Sequence, residues 1–569
     1  MMSNFASVVY AAHLHRNYIA IVMKSETPSP RAAEALYNLP LEQRDIGRFL
    51  RLRAAEEGDR PYLTFGARTY SFGETEQRCR DLARGLAARG IHEGSRVLLL
   101  LPNCAEFIFT WYACSLLGAA IVPLNTNLKG MALEAQLADA QADAVMVSRE
   151  LLPALDSIGP AFRQRIPWLA VVVAVRSEVA SAVTGAAAIV DQSRIVPFES
   201  LYESTGADPE IAGDFRRIQF ISYTSGTTGP AKGVMLPNAL AFSSACTFMR
   251  LSGMTRDDVL YSPLPLFHGL SSRMCALPAL VLGAHAVIGA RFSASRYWQQ
   301  AAQCKATLAY IVHAVVALVK AQPPGPYDRA HRVRAIFNAA HDLEFEARFG
   351  VRTLEAFSMT ETSYLLYTPY PERTLGSTGR AHEDWDLELV DGNDVPVPPG
   401  EPGELVGRPR RPYIVMQGYL NKPQETLDAW RNLWFHTGDI LRRDADGNYF
   451  YIDRKKERIR RRGENVSSSE VERGVEAHPA IAECVVIAHP APSGEDDIRL
   501  VAVLKPDAVL APAALHAWLN ERLPKFMLPR YIEFKDVLPR TGTNKVEKIA
   551  LVRAGLSASA WDAESETGR

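Results

Sequence analysis

Between residues 224 and 232 the chain gathers hydroxyls, glycines and one ammonium group: Thr224, Ser225, Gly226, Thr227, Thr228, Gly229 and Lys232. Apolar Ile218, Phe220 and Ile221 precede them, so the segment is read as a loop leaving a strand. Such a loop presents backbone N–H and side-chain O–H groups together, the donors that a phosphate chain takes. It is not a Walker loop, because no Gly-Lys-Ser/Thr ends it. On composition alone a plain turn is the alternative. Other polar groups stand out downstream: His268 after Phe267, the pair Thr360-Glu361, Asp439 after Thr437-Gly438, a basic run over residues 454–462, and Lys545. Taken singly they read as a structural histidine, a helix N-terminus, and charges on solvated faces.

Their order says more. The stretch Tyr223-Thr224-Ser225-Gly226-Thr227-Thr228-Gly229-Pro230-Ala231-Lys232-Gly233 resembles the STSGTTGxxKG-type loop of the acyl-adenylating superfamily: acyl-CoA synthetases, firefly luciferase and peptide-synthetase adenylation domains. Pro265-Leu266-Phe267-His268-Gly269 is similar to that family's PLFHG, and Phe357-Ser358-Met359-Thr360-Glu361 stands in place of its YGMTE. Gly403-Glu404-Leu405 fits its GEL strand, and Trp434-Phe435-His436-Thr437-Gly438-Asp439 its WFxTGD. Asp453-Arg454-Lys455-Lys456 occupies its hinge, and Arg460-Arg461-Arg462-Gly463-Glu464-Asn465-Val466 follows like its IKxxGENV. Pro539-Arg540-Thr541-Gly542-Thr543-Asn544-Lys545 resembles PRTxxGK.

The resemblance implies roles. The loop from Thr224 to Lys232 would hold the β- and γ-phosphates of ATP, with Thr224, His268 and Glu361 also among the catalytic residues. His268 would lie beside the acyl pocket, Thr360 near the α-phosphate, and Glu361 on Mg²⁺. Ala339 and Ala340, with Phe357 and Ser358, would wall the adenine. Asp439 would accept from both ribose hydroxyls, and Arg454 would complete the nucleotide site. Lys545 would be the catalytic lysine and Lys456 the hinge. Arg461, Arg462 and Gly463 would meet coenzyme A.

Three places depart from the pattern. Phe357-Ser358 replaces Tyr-Gly, Asn338-Ala339-Ala340-His341 replaces the usual GGAP-type wall, and Asn544 replaces the glycine before the lysine. Asn tolerates φ > 0 better than most residues.

The implied reaction is ATP-dependent formation of acyl-AMP and pyrophosphate, then acyl transfer to coenzyme A. Carboxylate and triphosphate repel each other, so a site must screen charge and align them. Lys545 would bridge carboxylate and α-phosphate where charge collects. A thiol then needs a path to the anhydride, which family members open by swinging a small C-terminal domain about the hinge. Phe292-Ser293-Ala294-Ser295-Arg296-Tyr297-Trp298 and the Gly463-Glu464-Asn465-Val466-Ser467 run look most like bacterial crotonobetaine/carnitine-CoA ligases, which points to a short or polar acid. His313, in the apolar stretch over residues 310–314, fits such a pocket or a satisfied core histidine. Three alternatives stand: an enzyme loading a carrier protein or amine, a catalytically silent relative, and, more distantly, a luciferase-like oxygenase.

Elements must position these residues, and 569 residues exceed one compact core. Strand and helix alternate over residues 45–124 and again over 218–350, which predicts parallel α/β layers. Ser71 with Glu74 predicts a capping box. Turns such as Asp391-Gly392 and Asp446-Gly447 mark a β-rich subdomain over residues 387–450. A small α+β C-terminal domain follows. The expected division is a tail over 1–43 with Met23 as an alternative start, a large AMP-binding domain over 44–454, a small mobile domain over 455–556, and a disordered polar tail over 557–569. Net charge −1 argues against nucleic-acid binding. Seven scattered cysteines fit a reducing compartment, and no HExxH suggests zinc. Without an apolar stretch long enough to span a bilayer, cytoplasm is the expected location.

Overall fold

The computed structural model describes residues 30–164, 166–172, 194–209, 213–224, 231–338, 341–454, 459–461, 464–466, 468–491, 494–539, 546 and 548–565. The chain is α/β, with a large N-terminal and a small C-terminal domain. Two seven-stranded sheets of the large domain are mainly parallel. One runs, edge to edge, Arg352–Leu354, Ala335–Phe337, Leu308–Tyr310, Val259–Ser262, His285–Ile288, Pro61–Phe65 and Arg68–Ser71. The other runs Ile195–Pro197, Leu169–Val172, Ala144–Ser148, Arg96–Leu100, Ala120–Pro123, Ile218–Thr224 and Lys232–Pro237. Strands such as Ala144–Ser148 are buried at every position, as parallel strands covered on both faces must be. The helices Ala105–Leu117 and Asn238–Ser252 are buried almost all round and carry apolar or small residues on every side. The capping box forms as expected: Ser71 Oγ accepts from Glu74 N, and Glu74 accepts from Ser71 N.

A third seven-stranded sheet is antiparallel. It opens at Ala356–Met359, earlier than the start at residue 387 expected from turn signals. Its first strands, Ala356–Met359, Ser363–Tyr367 and Gly379–Ala381, lack the Asp-Gly and Pro-Gly punctuation that marks the later ones. The small domain is built on Ile481–Pro490, Asp496–Leu504, Tyr531–Phe534 and Trp561–Asp562. The hairpin Ile459–Arg461 with Glu464–Val466 packs beside it.

Both expected tails need correction within the described residues. The helix Pro30–Tyr37 buries Ala33, Leu36 and Tyr37 in the main core, and the buried Arg44 donates to the carbonyls of Leu39 and Tyr37. At the other end Trp561–Asp562 pairs antiparallel with Tyr531–Phe534, and Arg530 holds both Asp562 and Glu564. A polar composition hid a strand that takes its order from one neighbour and two ion pairs. Among the described residues no helix is long and apolar enough to cross a membrane.

Candidate functional site

Thr224 ends a strand of the second sheet and lies opposite Lys232 in antiparallel register. The loop residues between them that carry the phosphate expectation, Ser225, Gly226, Thr227, Thr228 and Gly229, lie outside the described residues. Past the loop, the Lys232 ammonium sits over the ring of Tyr419, 4.6 Å from its centroid. The Tyr419 hydroxyl in turn donates to Glu361 Oε1 at 2.9 Å. Burial and the neighbouring carboxylate push that phenol far above its ordinary range, so it stays protonated and a donor. Glu361 is 8% exposed and sits in the turn joining Ala356–Met359 to Ser363–Tyr367. Ser363 takes φ 58° there, and Met416 N donates to the Glu361 carbonyl at 2.7 Å, so the turn is held from both sides.

A second group gathers on the antiparallel sheet. The rings of Phe357 and Tyr451 stack with centroids 6.5 Å apart, and the Tyr451 hydroxyl reaches Asp439 Oδ1 at 3.4 Å. Asp439 is 2% exposed, and its backbone faces Arg454 across the ladder. Thr437 Oγ1 accepts from Asp439 N and donates to Leu405 O, fixing the bend in the strand. Ser358 is half-buried beside Phe357. Ala339 and Ala340 lie outside the described residues. Next to them, His341 N donates to Glu355 Oε2 at 3.1 Å. Burial pushes the Glu355 carboxyl up to about 7 and holds the His341 ring below its usual value.

Thr224 of the first group, and Thr360 beside Glu361, line a cavity of about 170 Å³ together with Ala231, Phe267, His268 and Gly269 from the large domain. Its other wall is Glu464, Glu470, Phe526 and Met527 of the small domain. His268 Nε2 lies 3.4 Å from Glu464 Oε1, and Ala231 N donates to Glu470 Oε1 at 3.2 Å.

The model of the AMP-binding enzyme family matches residues 50–420, and that of the AMP-binding enzyme C-terminal domain matches 470–545. The chain belongs to the AMP-binding enzyme family. Among curated relatives, crotonobetaine/carnitine–CoA ligase of Shigella flexneri is 30% identical over 487 residues, covering 84% of this chain and 92% of its own. Among solved structures, a double mutant of o-succinylbenzoate CoA synthetase from Bacillus subtilis, bound with its product analogue, superposes with TM-score 0.74 at 24% identity, over 90% of this chain and 99% of that one. The same enzyme in complex with AMP gives TM-score 0.58 at 24% identity, over 88% and 96%. Adenylate-forming chemistry is thus the family's, and the chain is an enzyme of the acyl-CoA synthetase type.

Within this AMP-binding enzyme, the expected coenzyme A contact at Arg461 needs correction. Side chains alternate along Ile459–Arg461, and Arg461 faces inward with Ile459. Its guanidinium is bonded to Leu528 O and lies 3.3 Å from Asp497, inside the small domain. Arg462, Gly463, Lys456 and Lys545 lie outside the described residues. Around Lys545, Leu538, Val546 and Leu551 pack with Val485, Ile487 and Val501 on one face of the small sheet. The elements that line the cavity pack against the other face, with Val466, Val471 and Met527 against Val486 and Leu500. Lys548 is held within the small domain by Ser468, Glu472 and Val486 O.

Sequence reading missed Tyr419, Tyr451 and Glu470, and gave Glu464 no role. Tyr419 meets Glu361 across 58 residues, and no local pattern announces such a contact. Glu464 sat inside a quoted motif, where its carboxylate opposite His268 was the available signal.

Proposed function

We propose that this enzyme activates a carboxylic acid with ATP and passes the acyl group to coenzyme A. In the first step a carboxylate oxygen bonds to the α-phosphorus and the bond to pyrophosphate breaks. In the second a thiol sulfur bonds to the acyl carbon, the bond to AMP breaks, and the thiol proton leaves to solvent. Thr224, Lys232 and the loop between them would bind the phosphates, Thr360 the α-phosphate, and His268 would border the acid. Phe357, Ser358 and the wall at 339–340 would hold the adenine, and Asp439 and Arg454 the ribose side. Glu361 is a buried carboxylate next to the cavity-lining Thr360; such a group suits Mg²⁺, which takes one or two carboxylates and substrate phosphates, and Glu361 would hold it. When bound, the ion neutralises phosphate charge.

The observation that carries the reading is the shared cavity. Small-domain residues Glu464 and Glu470 close it, while the chain flanking Lys545 packs on the opposite face of the small sheet. That arrangement suits the thiol step, and rotation of residues 455–556 about Lys456 would bring Lys545 in for the first. The higher likeness to the product-analogue complex than to the AMP complex supports this. A soluble cytoplasmic enzyme fits the substrates. Loading of a carrier protein or an amine instead of coenzyme A would use the same first step.

Lys545→Ala tests the reading. Pyrophosphate release should fall by about 10²-fold or more, while thioester formation from pre-formed acyl-AMP and coenzyme A persists. Equal loss of both steps in a folded variant refutes the assignment, and release of pyrophosphate without any thioester refutes the coenzyme A step.

A further inference from the structure

The buried arginines among the described residues are anchored, with one exception. Arg44 donates to Tyr37 O and Leu39 O, Arg53 to Val281 O and Glu57, Arg461 to Leu528 O, and Arg499 to Glu533 and Leu551 O. Arg273 is 4% exposed, yet among the described residues no oxygen accepts from its guanidinium, and its Nε is enclosed without a partner. Burial lowers it only to about 10, so it is charged at neutral pH. An unpaired charge in the interior is costly, and removing the partner of a buried charge costs several kcal/mol. Such a group persists where something outside the chain completes the pair.

Its position says what that is. Arg273 lies on the π-helical turn Ser272–Ala276, where both Arg273 N and Met274 N donate to Gly269 O. Wide turns of this kind recur at functional sites. The guanidinium packs directly on Gly269: a Cβ there would fall 2.5 Å from Arg273 Nη2. Gly269 in turn lines the cavity beside His268. The charge therefore sits one backbone thickness behind the wall where the acid is expected, with the Phe220 ring 5.5 Å away. Tyr364, which feels this charge, has a buried hydroxyl that also lacks a partner. Glu361 attracts the guanidinium only from beyond ion-pair distance.

We propose that Arg273 receives a second anionic group of the acyl substrate, remote from the carboxylate that is adenylated, so that the preferred acid is a short dicarboxylic acid. The reacting carboxylate belongs on the Thr360 side of Gly269, whereas the guanidinium lies behind it. The proposal rests on the ligase reading above and narrows its substrate.

Pyrophosphate release tests it with succinate and glutarate against butyrate and valerate, which match them in carbon number, and with betaine as a cationic acid. The wild type should favour each dicarboxylate over its partner by about 10- to 100-fold in kcat/KM, the range of one hydrogen bond between charged groups. In Arg273→Met that ratio should collapse toward one, and Arg273→Lys should restore part of it. Preference for butyrate or betaine in the wild type, or equal loss on every acid in Arg273→Met, overturns the proposal; the second result would mean that Arg273 only balances Glu361. If no acid releases pyrophosphate, the ligase reading fails by itself. In that case a rise in melting temperature on adding succinate, present in the wild type and absent in Arg273→Met, still supports the anion site, and its absence overturns it.

Discussion

Glu355 offers a quantitative test of how the interior next to residues 339–340 is built. The residue is 9% exposed, and its carboxyl accepts from His341 N and is pushed by burial from 4.5 up to about 7. The folded protein thus holds this proton more tightly than the unfolded chain. Stability from the group is complete below pH 4.5 and is lost as pH rises through about 7. Moving the carboxyl from 4.5 to about 7 corresponds to about 3.4 kcal/mol in full, of which about 2.5 kcal/mol is lost between pH 5 and pH 8. Glu355→Gln keeps the shape and removes the titration. Unfolding of the large domain carries an entropy of about 2.1 cal/mol/K per residue, so over about 400 residues the difference is worth about 3 °C. Thermal melts of both proteins at pH 5 and pH 8 measure it. The Gln variant should gain about 3 °C on the wild type between those values. A constant or shrinking difference would refute the assignment of a proton-holding carboxyl.

Two further outcomes are expected. Asp439→Ala should raise the KM for ATP about 10- to 100-fold while leaving that of the acid nearly constant, since each bond to a charged group is worth about 1.5–3 kcal/mol; initial rates decide, and an unchanged KM for ATP removes Asp439 from the site. Arg499→Met leaves Glu533 buried without its main partner, so hydrogen exchange along Ile481–Pro490 should report a loss of about 3–5 kcal/mol; unaltered protection would show that the pair contributes nothing.

Much of the fold was legible because its elements are locally consistent: Ser71 and Glu74 announce their helix, and apolar runs such as 97–100 announce buried parallel strands. Motif order pointed to Glu361 and Asp439, and in the structure both are buried carboxylates in reach of a tyrosine hydroxyl. The tyrosines themselves were not legible. Tyr419 and Glu361 come from different strands and loops, and nothing short-range encodes their meeting. Arg461 misled for a related reason. A run of like charges looks uniformly solvated, whereas the alternation of a short strand turns one of them inward against Asp497. Arg273 gave no sign at all, because an arginine without a partner differs from its neighbours only in what is missing around it.

The shared cavity has one more consequence. Among the described residues few polar contacts cross between the domains around it: His268 with Glu464, Ala231 with Glu470, and Lys129 with Asn520 O. Surface contacts of this kind are each worth at most about 1 kcal/mol. A ligand gripped from both sides at 100 times its Kd adds about 2.7 kcal/mol to the closed arrangement. Whatever fills the cavity therefore adds about as much to the closed arrangement as those three contacts together, and its departure favours the parting of the domains.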